Sequence, residues 1–335
     1  MRRIVTIFLV VSFAAVVGFG QDLPYKQVGK YHLPGEGGWD YLRYDPEGNR
    51  LFIAHGTSYL VVSAEDGKTL GQIPAEGAHG VGLVPDKGLG FAANGRAGTV
   101  TVFDLKTLAA KSEIKVGEGP DSVLYDDHSK RVIVMNGRGK EVSVINPETL
   151  KVEKTIPLGG ALEEAAADKN HVYVNVEDQN QIAVIDSKTW AVTAQWKLDG
   201  CDGPGALAID EKRGVLFSAC GNAKMFLVST SLGKVIGTVA TDKGTDGGAY
   251  DPGLNLAFAS NGAAATLSVI RQNKDGNYES SGNVPTQKGA RTMALDPKSH
   301  KVFLVTADFG PPVEGQRRPP ILPNTFTLLV YGPAK

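Results

Sequence analysis

Four carboxylates and one guanidinium recur at a fixed distance before an aspartate. Counting five residues back from Asp45, Asp126, Asp168, Asp251 and Asp296 gives Asp40, Asp121, Glu163, Asp246 and Arg291. The same count from Asp210 falls on Gly205, and a shorter second unit contributes Gly80 with His79 beside it. Such a ring could bind a polar or cationic small molecule in a low-dielectric funnel, where charges count for more than on an open surface. It could hold a hard cation such as Ca²⁺, although oxygen contacts of about 2.3–2.6 Å are hard to reach around a wide ring. A hydrated rim of turn-capping acids is the plain alternative.

Catalytic motifs are sparse. The chain has no Gly-x-Ser-x-Gly, His-Glu-x-x-His or Cys-x-x-Cys-His. Of the six histidines, His128, His171 and His300 fall at turns where solvated polar residues are ordinary. His55 and His79 fall nearer the ring, where a metal pair is a further alternative. No metal and no cofactor is assigned. Binding is favoured over catalysis, and the competing reading is a hydrolase, a lactonase-like or a metal-assisted enzyme using the acidic funnel. An insertion at 307–324 carries Arg317 and Arg318 among five prolines. It reads as a partial lid over the ring, against a solvated loop. Cys201 and Cys220 fit either a disulfide or two separate thiols, because spacing alone cannot place their Cα atoms.

The elements that must position these groups follow a repeat of about 42 residues. A short apolar strand ends near Asp, a turn follows, and a second strand ends in a small polar residue. Those endings fall at His55, Asn94, Asn136, Asn175, Cys220, Asn261 and Thr306, with steps of 39, 42, 39, 45, 41 and 45 residues. A period of 40–45 in strand-like text is that of a four-stranded propeller blade. The third unit shows all four strands: Ser-Val-Leu-Tyr from 122, Arg-Val-Ile-Val-Met from 131, Glu-Val-Ser-Val-Ile from 141, and the alternating Lys-Val-Glu-Lys-Thr-Ile from 151. The seventh unit stops after its third strand near residue 330, while residues 26–33 form a strand with no unit of their own. Pairing these two would close the ring and remove an open sheet edge. The fold expected is all-β, one seven-bladed β-propeller over residues 21–335. The ring groups would then share one face with the 307–324 insertion.

Residues 132–160, with Val-Met-Asn-Gly and Val-Ser-Val-Ile-Asn-Pro-Glu-Thr, resemble the YVTN-type forty-residue propeller repeat. Residues 172–189, 99–107 and 116–120 are similar to it, although Val-Met-Asn and Ala-Ala-Asn replace the Val-Thr-Asn core. The resemblance spans nearly all of the chain beyond its first twenty residues. It implies a propeller of exported or periplasmic type and says little about activity; related propellers include lactonases and quinoprotein dehydrogenase subunits.

The first twenty residues read as a signal peptide. Arg2 and Arg3 precede an apolar run over 4–19, and Gly18 and Gly20 sit three and one before a cut at Gln21. A run of this length is short for a membrane span of about twenty residues, and no Cys follows it to carry a lipid. Removing the two arginines takes the formal charge from −1 to −3. That balance gives no reason to expect nucleic acid or an anionic membrane as partner. The expectation is a periplasmic or secreted monomer that binds a small polar molecule or another exported protein at its axial face.

Overall fold

The computed structural model describes residues 23–316 and 318–334. The expected signal peptide and Arg317 lie outside the described residues. Seven antiparallel sheets of four strands form a ring. Their innermost strands are Trp39–Asp45, Ala78–Val84, Pro120–Asp126, Leu162–Ala167, Pro204–Asp210, Thr245–Asp251 and Met293–Asp296, defining blades 1 to 7. In blade 7 the outermost strand, Tyr25–His32, comes from the other end of the chain. It pairs with Thr327–Pro333, from Tyr25 opposite Pro333 to His32 opposite Thr327. Among the described residues there is no α-helix, only single 3₁₀ turns at Pro85–Lys87 and Glu177–Gln179, and no helix is long and apolar enough to cross a membrane.

The repeated Asp and Asn residues have structural causes. Asp45, Asp126, Asp251 and Asp296 are buried where the first strand ends. Each carboxylate accepts the backbone N–H two residues on, at 2.8–3.1 Å, and so fixes the turn into the second strand. Asn94, Asn136 and Asn261 close the second strand and donate to a third-strand hydroxyl: Thr101, Ser143 and Ser268. Blade 4 departs from the pattern. Its second strand ends at Val176, opposite Leu162. Asn175 therefore lies one residue short of the closing position and bonds into blade 5, donating to the Ala206 carbonyl at 3.0 Å and accepting from Ser218.

Small residues crowd the axis for a steric reason. A Cβ on Gly80 would lie 2.6 Å from the Asp121 carbonyl oxygen, and one on Gly247 would lie 2.9 Å from the Met293 nitrogen. The cores lie between blades, built from second and third strands buried on both faces. Outer strands are mostly exposed; Ala110–Lys115 buries only Ile114. Cys201 and Cys220 are bonded to each other, their Cα atoms 5.7 Å apart, at the end of blade 5 that faces the ring.

Candidate functional site

Asp40, His79, Asp121, Glu163, Gly205 and Asp246 each follow the first residue of the innermost strand in blades 1 to 6, and Arg291, five residues before Asp296, lies two residues ahead of the shorter innermost strand of blade 7. The sequence count placed Gly80 in this set with His79 beside it. The structure puts His79 itself in phase, because Val84 opposite Leu89 takes the place that Asp45 has in blade 1.

The side chains form one chain of ion pairs across five adjacent blades. His79 Nδ1 lies 3.2 Å from Asp121 and 2.5 Å from Asp40. Arg291 lies 3.5 Å from Asp40 and 2.8 Å from Asp246. The backbone beneath is pinned as well: the Tyr59 hydroxyl accepts from the His79 N–H at 3.0 Å, and Thr292 donates to the Asp40 carbonyl at 2.7 Å. Hydrogen bonds to Asp121 and Asp40 hold the His79 imidazole up at about 10, so it carries a proton at neutral pH. Burial raises Asp121 and Asp246 above the usual carboxylate range. Burial, then the field of Asp121, raises Glu163. The expected acidic funnel is therefore largely neutralised from within. Its chain of charges is interrupted on the side of blades 4 and 5, at Glu163 and Gly205.

Among the described residues, Asp40, His79 and Asp121 are also a group whose ligand atoms all lie within 4.8 Å of one another. A divalent cation there would have to displace the proton that His79 shares between the two carboxylates. His55 is not part of this cluster. It is buried and stacked flat on Phe326, ring centroids 4.0 Å apart. The histidines of the far face are paired rather than merely solvated: His300 with buried Asp251 at 2.7 Å, and His128 with Glu211 at 2.9 Å.

The 307–324 insertion closes on itself at its base as a short hairpin, while residues 311–316 are exposed. Phe309 bridges Ile321, and Gly310 donates to the Pro320 carbonyl at 2.8 Å. Phe309 packs on Trp39, ring centroids 6.0 Å apart. Between hairpin and ring lies a cavity of about 450 Å³, lined by Trp39, Phe309, Ile321, Asp246, Arg291 and Arg318, with Lys288 at its edge. Phe309, Arg318 and Ile321 of the hairpin thus stand beside blades 6, 7 and 1 at this cavity.

Below the ring the axis is crossed. Tyr41 of blade 1 reaches Glu163 of blade 4, its hydroxyl 3.5 Å from the carboxylate. Arg43 donates to the carbonyls of Val81 and Val123 in blades 2 and 3. Beneath them a second cavity of about 510 Å³ opens towards the first-turn residues Asp127, His128, Pro252 and Pro297. The sequence reading put the entrance to the axis on the ring's face. This larger cavity opens on the opposite one, because Tyr41 and Glu163 bridge the space between.

Tyr41, Arg43, Glu164 and Trp39 are the groups the sequence reading missed. One signal was present: Arg43 is the charged residue at a position held elsewhere by Gly82, Leu124, Ala166, Ala208, Ala249 and Ala294.

No protein-family model matches the chain, nor does any curated protein sequence. Solved structures match over almost its whole length. The crystal structure of RRP9 WD40 repeats covers 91% of this chain and 97% of its own, with TM-score 0.75 and 10% identity. The structure of U3-55K covers 90% and 98%, with TM-score 0.73 and 11% identity. At such identities the likeness is one of fold: this is a seven-bladed β-propeller of the WD40 shape.

Proposed function

We propose that the chain is an exported, non-catalytic propeller of YVTN type that binds a small polar molecule at the mouth beside the 307–324 hairpin. The observation that carries this reading is the cavity of about 450 Å³, where Trp39, Phe309 and Ile321 face Asp246, Arg291 and Arg318. Apolar walls with a few convergent charges are the usual make-up of a small-molecule site. Asp246 and Arg291 already form an ion pair, so a ligand with both an acceptor and a donor, or with an anionic group towards Arg318 and Lys288, fits better than a bare cation. The repeat text at 132–160 supports the YVTN assignment. The N-terminal Arg2-Arg3 and apolar run support export, and the Cys201–Cys220 bond is at home in an oxidising compartment.

Binding is preferred to catalysis because His79, the histidine of the ring, holds a proton between two carboxylates and offers no free base. The test uses protein from the extracytoplasmic fraction with its N-terminus near Gln21. Small polar metabolites are screened by thermal shift and for turnover. A binder should be recovered unchanged and lose roughly tenfold in affinity, about 1.4 kcal/mol, in Asp246→Asn or Arg318→Ala. Turnover abolished by Asp121→Ala or Glu163→Ala in folded protein would favour the enzyme. Binding indifferent to all four substitutions would leave the ring a hydrated rim, and recovery only in the cytosol at full length would end the export reading.

A further inference from the structure

The cavity on the opposite face has a chemistry of its own, separate from the mouth. Its volume, about 510 Å³, suits a small organic ligand. Arg43 lines it, wetted from inside the channel while strands surround it. The guanidinium stays charged in a protein. It spends Nε and Nη2 on two carbonyls at 3.3 and 3.4 Å, and among the described residues it makes no ion pair. The carboxyl whose pull it feels most, Glu164, is itself held up by burial. A cation with no carboxylate in ion-pair contact attracts an anion in a confined, low-dielectric space.

The rest of the wall says which kind of anion. Val123, Leu124, Leu207, Ile209 and the alanines of blade 4 give an apolar patch beside Ser122 and Glu164. A multiply charged, heavily hydrated anion would leave acceptors unpaired there. Glu164 accepts the Leu207 N–H at 2.9 Å, and burial holds its carboxyl up at about 8, so at neutral pH it adds a donor rather than a repelling charge.

Blade 4 also has the smallest side chain at one level of the cavity wall. At the residue before the strand-closing position the other blades carry Tyr44, Leu83, Tyr125, Ile209, Tyr250 and Leu295, whereas blade 4 carries Ala167. The turn after Ala167 is shorter than its counterparts, and His128 of blade 3 reaches over it to Glu211 of blade 5. At the rim, Asp126 is committed to its turn and Asp127 is paired with Lys130 at 2.5 Å.

We propose that this axial cavity binds a small organic monocarboxylate, with Arg43 as the group that holds its carboxylate and Ala167 as the small residue that leaves it room. The probe is benzoate, compared by titration calorimetry with benzyl alcohol and inorganic phosphate on the whole mature protein. Benzoate should bind saturably, with the alcohol and phosphate each at least about tenfold weaker, the scale of one lost charge-assisted contact. Arg43→Gln should weaken benzoate by a similar factor or more, with Arg43→Lys in between. Ala167→Tyr gives blade 4 the bulk that three other blades carry at this position, where Tyr44 and Tyr250 stack on Phe303 and Phe217, so it should fold normally and, by narrowing the cavity, weaken binding at least about tenfold. In crystals grown with benzoate, its carboxylate should lie beside Arg43. The proposal is overturned by no saturable binding up to roughly 10 mM, well above a weak millimolar affinity. Unchanged affinity in folded Arg43→Gln, or in Ala167→Tyr should Arg43→Gln fail to fold, also overturns it, as does benzoate found at the mouth instead.

Discussion

Glu164 shows how the axis sets the chemistry of a single side chain. Its ordinary value is 4.5, and burial lifts it to about 8 against the opposing pull of the Leu207 N–H and Arg43. Between those two values the folded protein keeps a proton that the unfolded chain releases. The group's contribution is thus fully present below about pH 4.5 and lost as pH rises through about 8. Glu164→Gln keeps the acceptor for Leu207 without the charge. It should match the wild type near pH 4 and exceed it near pH 9 by about 1–3 kcal/mol in denaturant unfolding, less than the full shift would give because the channel is wetted. A variant no more stable at pH 9 would mean that channel water already compensates the ionised carboxylate. His79 follows the same sign, since its raised value of about 10 makes its contribution full below about 6.5 and lost towards 10. The ring positions were legible because Asp45 and its counterparts mark a constant phase. Tyr41, Arg43 and Glu164 were not. The innermost strands of blades 1 to 6 slip register just after their start, as between Trp39 and Leu42, and that slip breaks the two-residue alternation by which a sequence shows its faces.

At the scale of the element, a blade is held by its own turns and, in blade 5, by a covalent tie. The bond joins the approach to the innermost strand, at Cys201, to the end of the second strand, at Cys220, across 19 residues. A loop of that order restricts the unfolded chain by about 3 kcal/mol. Reduction, or Cys201→Ser with Cys220→Ser, should lower the urea unfolding free energy by roughly 2–4 kcal/mol with little change in slope. An unchanged midpoint after confirmed reduction would show that blade packing alone sets the stability of this hairpin. Blades with regular turns were easily read from Asp, Asn and Gly. The 307–324 hairpin was not, because its order comes from Phe309 meeting Trp39, some 270 residues away in the chain. Its prolines state only where the backbone cannot donate. In the same way His55 looked available for a metal until Phe326 was seen stacked on it.

The molecule as a whole is a ring whose seam lies inside blade 7. Six blades are continuous stretches of chain, and one borrows its outer strand from the far end, with Ala334 N–H donating to the Pro24 carbonyl at 2.9 Å. Opening the ring between blades 7 and 1 therefore requires either unpairing Tyr25–His32 from Thr327–Pro333 or pulling an intact blade from its neighbours. A circular permutant separates these two resistances. Joining residue 334 to residue 23 through a short turn, and opening the chain at 75–77 between Pro74 and Ala78, makes every blade a continuous stretch. Adjacent termini favour such a chain folding. It should keep the strand content and the cooperative unfolding of the parent. No sheet would then bridge the new ends, and blade 1 would be held to blade 2 without shared strand pairing, by contacts such as Phe52 on Phe103 and the Tyr59 hydroxyl with the His79 N–H. The permutant should unfold at least about tenfold faster in guanidinium, about 1.4 kcal/mol off the barrier, with folding less affected. An unfolding rate equal to the parent's would show that strand exchange in blade 7 does not set the ring's kinetic stability, and that packing between blades suffices to keep it closed.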